Sequence, residues 1–185
     1  MKILKLPREA TVEDLYGLDK RAELVDGQIV LMEGSASLSN RTAARIWKSL
    51  DAHEAEHGGG FAYAEGATFI VTMPLRRSFS PDAAWYAHPG PLPIEFIHAP
   101  PTLAVEVRNP GDYGLRAERE MKNKRTDYFA AGTLVVWDVD VLREGVVRVY
   151  RADDPEHPSI YRRGEVAEAE PAVPGWRMPV DELFG

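Results

Sequence analysis

The sequence predicts an α/β fold, a mixed central β-sheet flanked by helices and preceded by N-terminal hairpins. Three observations predict it. Asp26-Gly27 separates two apolar runs, the strongest short-range hairpin signal. Apolar positions at helical spacing fill residues 39–57 and stop at Gly58-Gly59-Gly60. Residues 102–139 then read strand, helix, strand, which is the order of a crossover joining parallel strands, with a right-handed connection expected. Hairpins and a crossover in one chain put antiparallel and parallel pairs into a single sheet, with helices on its faces.

Each element follows from its own local pattern. Thr11 to Tyr16 opens on an N-cap threonine with Asp14 at the capping-box position, so a short helix is expected. Ala22 to Met32 forms the hairpin around Asp26-Gly27. Ala43, Ile46, Trp47 and Leu50 give the long helix its apolar stripe. Phe61 to Met73 reads as a strand or hairpin turning at Glu65-Gly66, and strands follow around Asp82 and Glu106. A loop rich in Pro and Gly separates these two, from His88 to Pro101. Leu115 to Ala131 is a polar helix that Gly132 ends. Thr133–Val139 and Val146–Arg151 are buried-type strands, and the tail from Tyr161 to Gly185 is expected to be irregular with one short strand.

With 185 residues the chain is expected to be one domain over 1–185, long enough to bury a core without staples. No repeat, low-complexity block or linker divides it. It contains no cysteine, which excludes disulfides, thiolate metal sites and cysteine nucleophiles. Met1 to Arg8 is too short and interrupted for a signal peptide, and no segment reaches the ~18 apolar residues of a membrane span. A cytoplasmic protein is expected. The net charge of −7 argues against general high-affinity DNA binding, which Lys and Arg supply by neutralising phosphates. It leaves room for a nucleic-acid enzyme whose basic residues gather around one cleft.

The chemistry is carried by two acids in different strand-like segments. Asp82 follows Pro81, and Glu106 lies inside Leu103-Ala104-Val105-Glu106-Val107-Arg108. A carboxylate in an apolar run is costly to bury unless a cation or strong hydrogen bonds offset it. Two such acids meeting at a sheet edge would suit Mg²⁺, or Mn²⁺, which takes one or two carboxylates plus phosphate and water. A divalent ion there could activate water and stabilise charge on a phosphodiester. Strand alternation puts Glu106 and Arg108 on one face. The competing readings are a turn cap for Asp82 and a structural ion pair for Glu106.

Asp82 followed by Glu106-Val107-Arg108 resembles the PD-(D/E)XK nuclease signature, with Arg108 in the lysine slot. The wider context is more specific. Glu23-Leu24-Val25-Asp26-Gly27, Pro81-Asp82, residues 100–110, Lys124 to Gly132, Val135 to Val139 and Pro174 to Pro179 follow in one order. From about Thr11 to Phe184 the chain resembles the Uma-type restriction endonucleases, a branch of that superfamily. The resemblance implies a restriction-endonuclease-like core, a homodimer and Mg²⁺-dependent cleavage of nucleic acid, most naturally DNA. It implies that Asp82 and Glu106 bind metal, that Glu23 completes the metal shell, and that Lys124 replaces the missing strand lysine. A lysine with a lowered pKa could orient or deprotonate water, whereas Arg108 stays protonated and is expected to contact phosphate. The bland reading of Lys124 is a solvated charge on a polar helix. Asn109 and Asn40 depart from the family's usual Ser and His. The rival reading is a catalytically silent nuclease fold retained as a binding module.

His53-Glu54-Ala55-Glu56-His57 also matches the H-E-x-x-H zinc peptidase motif, the remote alternative function. Tyr63 stands where the longer version of that motif needs a third His, and the motif occupies the last helical turn before three glycines. There the histidines would instead complement the helix dipole. Arg41, Arg45 and Lys48 line one side of the long helix, and Arg116, Arg119, Lys122, Lys124 and Arg125 crowd the later one. These are the candidate phosphate contacts, with exposed ion-paired helix faces as the alternative. Trp47, Trp85, Trp137 and Trp176 are expected to pack in the core or an interface.

Overall fold

The structure, a computed structural model, describes residues 2–88 and 90–184. Pro89, in the loop expected from His88 to Pro101, and Met1 and Gly185, the ends of the expected 1–185 domain, lie outside the described residues. β1 (Lys2–Leu4), β2 (Ala22–Val25) and β3 (Gln28–Leu31) form a small antiparallel sheet in the order β1-β3-β2, with α1 (Val12–Tyr16) beside it. Asp14 accepts the Thr11 N–H at 2.8 Å, so the predicted capping box closes α1. Asp26 and Gly27 both take positive φ, 49° and 63°, which is the two-residue turn that the strand twist requires.

The long helix, α2 (Ser37–His57), leads to β4 (Phe61–Ala64), then β5 (Phe69–Ile70), β6 (Ser78–Phe79), β7 (Ala83–Tyr86) and β8 (Leu103–Val107). A second long helix, α3 (Leu115–Ala131), crosses to β9 (Val135–Asp140), followed by β10 (Val146–Arg151) and β11 (Asp154–Arg162). These build a six-stranded sheet ordered β11-β10-β9-β8-β7-β4. Its β8–β9 pair is parallel, as a crossover through α3 demands, and its other pairs are antiparallel. Gly132 stops α3 in the left-handed region, at φ 110°.

Two expectations are corrected. Residues 61–73 are not a hairpin, because β4 pairs with β7 while β5 pairs with β6. Phe69 and Ile70 are buried and pack elsewhere, so burial rather than the Glu65-Gly66 turn chose their partners. The tail is also more regular than its composition suggests. β11 runs to Arg162, β12 (Val166–Glu168) pairs with β13 (Arg177–Pro179), and a 3-10 turn covers Val180–Leu183. Ala167, Met178, Val180 and Leu183 enter the core, and that tertiary burial outweighs weak local propensity.

The sheet buries both faces. Ala43, Ile46 and Leu50 of α2 pack on Leu103, Val105 and Val107, with Trp85, Trp137 and Trp176 in the same cluster and Trp47 at its margin. Burying Ile46 or Leu50 contributes roughly 1.5–3 kcal/mol each. Ala84, Ala104 and Val136 meet Phe69, Phe79 and Tyr128 of α3 on the other face. The two-residue period of β8 therefore turns Leu103, Val105 and Val107 toward α2, and Ala104 and Glu106 toward α3.

Candidate active site

Glu106 is the one carboxylate of β8, and its period aims it at α3. There Lys124 Nζ lies 2.8 Å from Glu106 Oε1, and Tyr128, one helical turn on, donates its hydroxyl to the same oxygen at 2.7 Å. Both contacts fall on Oε1, so neither uses the second carboxylate oxygen. Tyr128 is fixed by stacking on Phe79, with ring centroids 4.0 Å apart. Asp82 precedes β7 and grips β8 on both sides of Glu106. Its N–H donates to the Val105 carbonyl at 2.9 Å, and its Oδ2 accepts the Val107 N–H at 2.7 Å. The two acids thus meet at one end of the β7–β8 pair, next to Lys124.

Electrostatics follow from that crowding. Burial raises the Glu106 pKa, and the negative charges of Asp82 and Glu23 add to it, against the pull of Lys124. Burial alone would lower Lys124, but Glu106 and Glu23 outweigh it and hold the ammonium above its ordinary value. This direction is the reverse of the lowered lysine that the sequence suggested, and it favours the ammonium form. Tyr128 is pushed well above its ordinary value by burial and then by Glu106 and Glu23.

Glu23 does not stand as a free third ligand. It is 4 % exposed, and its Oε1 meets Lys124 Nζ at 2.9 Å and the Ser80 N–H at 3.0 Å. Its Oε2 accepts from Arg76 at 2.7 Å, and Arg76 in turn reaches Asp127 of α3 at 2.8 Å. Burial would raise this acid, yet Lys124 and Arg76 together hold its pKa below the usual range. Its oxygens are spent on positioning Lys124 and the strand after Arg76. Among the described residues, no group of three or more His, Asp or Glu side chains is spaced to hold a metal ion. The donors that fit an ion are the pair Asp82 and Glu106, hard oxygens in a number that suits Mg²⁺. Burial first, and then the nearby acids, raise the Glu106 pKa, and a divalent cation at the pair would offset both.

The expected phosphate contacts are arranged differently. Arg108 shares the face of Glu106, as alternation requires, but it is 5 % exposed and its guanidinium is committed. Nε and Nη2 donate to the two oxygens of Asp138 at 2.7 and 2.8 Å, and Nη1 and Nη2 reach Glu118. Such a bidentate buried pair leaves no fork for a phosphate. Arg45 donates to the Leu183 carbonyl at 3.1 Å and so ties α2 to the C-terminal turn. Arg41 is exposed on the first turns of α2. On the second helix Arg116 pairs with Glu120 and Lys122 with Glu156, while Arg125 lies over the Tyr150 ring.

Sequence reasoning missed Arg21. Its Nη1 lies 2.9 Å from Asp82 Oδ1 and 2.7 Å from Glu65 Oε1, and Nε donates to Ser80 Oγ at 2.9 Å. The signal was available, since Arg21 is two residues before Glu23 and shares its strand face. Asn40, one of the family departures, donates to Glu65 Oε2 at 3.1 Å, and Asn109, the other, accepts the Ala36 N–H at 2.8 Å where α2 begins.

The H-E-x-x-H motif lies on the opposite side of the sheet, on α2. His53 and His57 stack at 4.5 Å, and Glu54 accepts the Ala62 N–H at 2.6 Å, which ties α2 to β4. A glutamate used in this way is a strand anchor rather than the base of a zinc peptidase.

Comparison with known proteins bears on the family and the fold. The family model Uma2, described as "Putative restriction endonuclease", matches residues 10–181. A crystal structure described as "a putative nuclease belonging to DUF820", from Anabaena variabilis, superposes with a TM-score of 0.74 at 14% identity. The match covers 95% of this chain and 97% of that one. No curated protein matches the sequence.

Proposed function

The chain belongs to the Uma2 restriction-endonuclease family, and from that premise we propose that it is a Mg²⁺-dependent endonuclease, with Mn²⁺ as an alternative ion, that hydrolyses phosphodiester bonds of DNA. One observation carries the reading. A helix lysine, Lys124, is delivered to the strand acid Glu106, while Asp82 holds the backbone on both sides of that acid. This supplies an acid pair and a lysine on one sheet end although the strand itself offers only Arg108. Asp82 and Glu106 would hold the ion, which when bound polarises the phosphate and lowers the pKa of water. Lys124, as an ammonium, donates from Nζ to orient the attacking water and to offset charge that develops on the phosphate oxygens. Glu23 and Tyr128 position Lys124 and Glu106. Arg41, Lys48 and Arg119, all exposed, are the remaining candidates among the proposed phosphate contacts, and the assembly proposed is a homodimer.

Cleavage of duplex DNA, single strands and RNA with Mg²⁺ or Mn²⁺ tests the proposal. Wild type should cut at least one of them, and Asp82→Ala and Glu106→Ala should not, with folding intact by circular dichroism. Silence of the wild type with every ion and substrate would leave the binding module instead. Size-exclusion chromatography with light scattering tests the dimer.

A further inference from the structure

The proposed ion site already contains cations of the chain itself. Lys124 offsets Glu106 and Glu23, and Arg21 offsets Asp82. The two are held differently. Lys124 lies between two strand carboxylates, whereas Arg21 is shared between an acid of the site and one outside it. Its Nη1 spans Asp82 Oδ1 and Glu65 Oε1, and its other nitrogens rest on the hydroxyl and carbonyl of Ser80. Glu65 follows β4, and Asn40 and Ser35 hold its carboxylate, at 3.1 Å and 3.4 Å. Of the Asp82 oxygens, Oδ2 is bonded to the Val107 N–H, so Oδ1 is the one that an ion and Arg21 would both seek.

We propose that Arg21 is a resident counter-ion that competes with the divalent cation for Asp82 Oδ1, with Glu65 as the acceptor that keeps the guanidinium when Asp82 is given up. This rests on the ion-binding reading of Asp82 and Glu106. Two like charges on one carboxylate oxygen repel, so the ion binds only as Arg21 shifts its weight to Glu65 and Ser80. Arg21 is thus a positioning residue that sets the metal affinity of the site. The separation between Asp82 and Glu65 is bridged by one nitrogen, so the transfer needs a small side-chain adjustment and no backbone change.

Mn²⁺ affinity of the full chain, measured by electron paramagnetic resonance and calorimetry without any substrate, tests this. Arg21→Gln should bind Mn²⁺ at least about tenfold more tightly than wild type, because a fixed positive charge has left the site. Glu65→Gln should bind it more weakly, about threefold, because Asp82 is then the one carboxylate left to Arg21. Asp82→Asn should abolish binding in both backgrounds. Unchanged or weaker binding in Arg21→Gln, with the Asp82→Asn loss intact, would overturn the role of Arg21 and leave the ion site standing. Absence of Mn²⁺ binding in wild type and Arg21→Gln alike would overturn the ion site and this inference together. Should Arg21→Gln fail to fold, the more exposed Glu65→Gln decides, since an unchanged affinity there removes the acceptor from the scheme.

Discussion

Lys124 Nζ lies 2.8 Å from Glu106 Oε1, joining the middle of α3 to the only acid of β8. The contact crosses eighteen positions of sequence through a helix, and it exists because the crossover sets α3 over the β8–β9 pair. Around it, Glu23 pairs with Lys124 and Arg76, Asp127 with Arg76, and Asp82 with Arg21, so single changes have predictable costs.

Replacing Lys124 by Met removes the cation shared by two buried acids. Breaking a buried ion pair on one side leaves the partner uncompensated, at about 3–5 kcal/mol. Urea unfolding should show a loss in that range. Cleavage should fall by about 10²-fold or more, as when a donor aimed at developing charge is removed. Lys124→Arg, which keeps the charge, should recover most of the stability and less of the rate.

The pH dependence of stability isolates Glu106. A carboxyl whose folded pKa is raised contributes stability that is present below its unfolded value and lost as pH rises through the folded value. Glu106→Gln has no such titration. Wild type should therefore lose stability relative to Glu106→Gln as pH rises from about 4 toward neutrality, in the presence of a chelator. Thermal unfolding across that range checks the sign. A gap that widens toward acid pH instead would contradict the raised pKa.

Arg108 is a structural cation. Its removal in Arg108→Ala takes both short hydrogen bonds from Asp138, which is 1 % exposed and keeps Arg125 at 3.8 Å, so unfolding should become easier by about 3 kcal/mol. The double variant Arg108→Met with Asp138→Leu should recover much of that, because both charges leave together. A nucleic-acid affinity that drops in Arg108→Ala while stability holds would return Arg108 to the phosphate.

Gly60 is confined by packing rather than by backbone angle. A Cβ there would fall 2.4 Å from Trp85 Nε1, an indole that is 1 % exposed. Gly60→Ala must therefore displace the ring, a cost of about 1–3 kcal/mol typical of an overpacked core. Melting should move down by several degrees, with a change in tryptophan fluorescence.

Much of this protein was legible before folding is considered. Local patterns and stops determined α2, α3, the strand that follows Asp82 and the strand that carries Glu106. Asp26-Gly27 and Gly132 determined a turn and a stop, because their backbone angles suit few other residues. The family order of motifs singled out Asp82, Glu106 and Lys124, which the fold sets close together. Tertiary structure alone decided the rest. Which cation meets which acid depends on separations across the fold, as for Arg21 with Asp82, sixty-one positions apart. The commitment of Arg108 to Asp138, the sealing of Glu23 and the elevated pKa of Lys124 arise the same way. Charge strength in a protein is set by burial and neighbours, and neither is a property of one residue or its spacing along the chain.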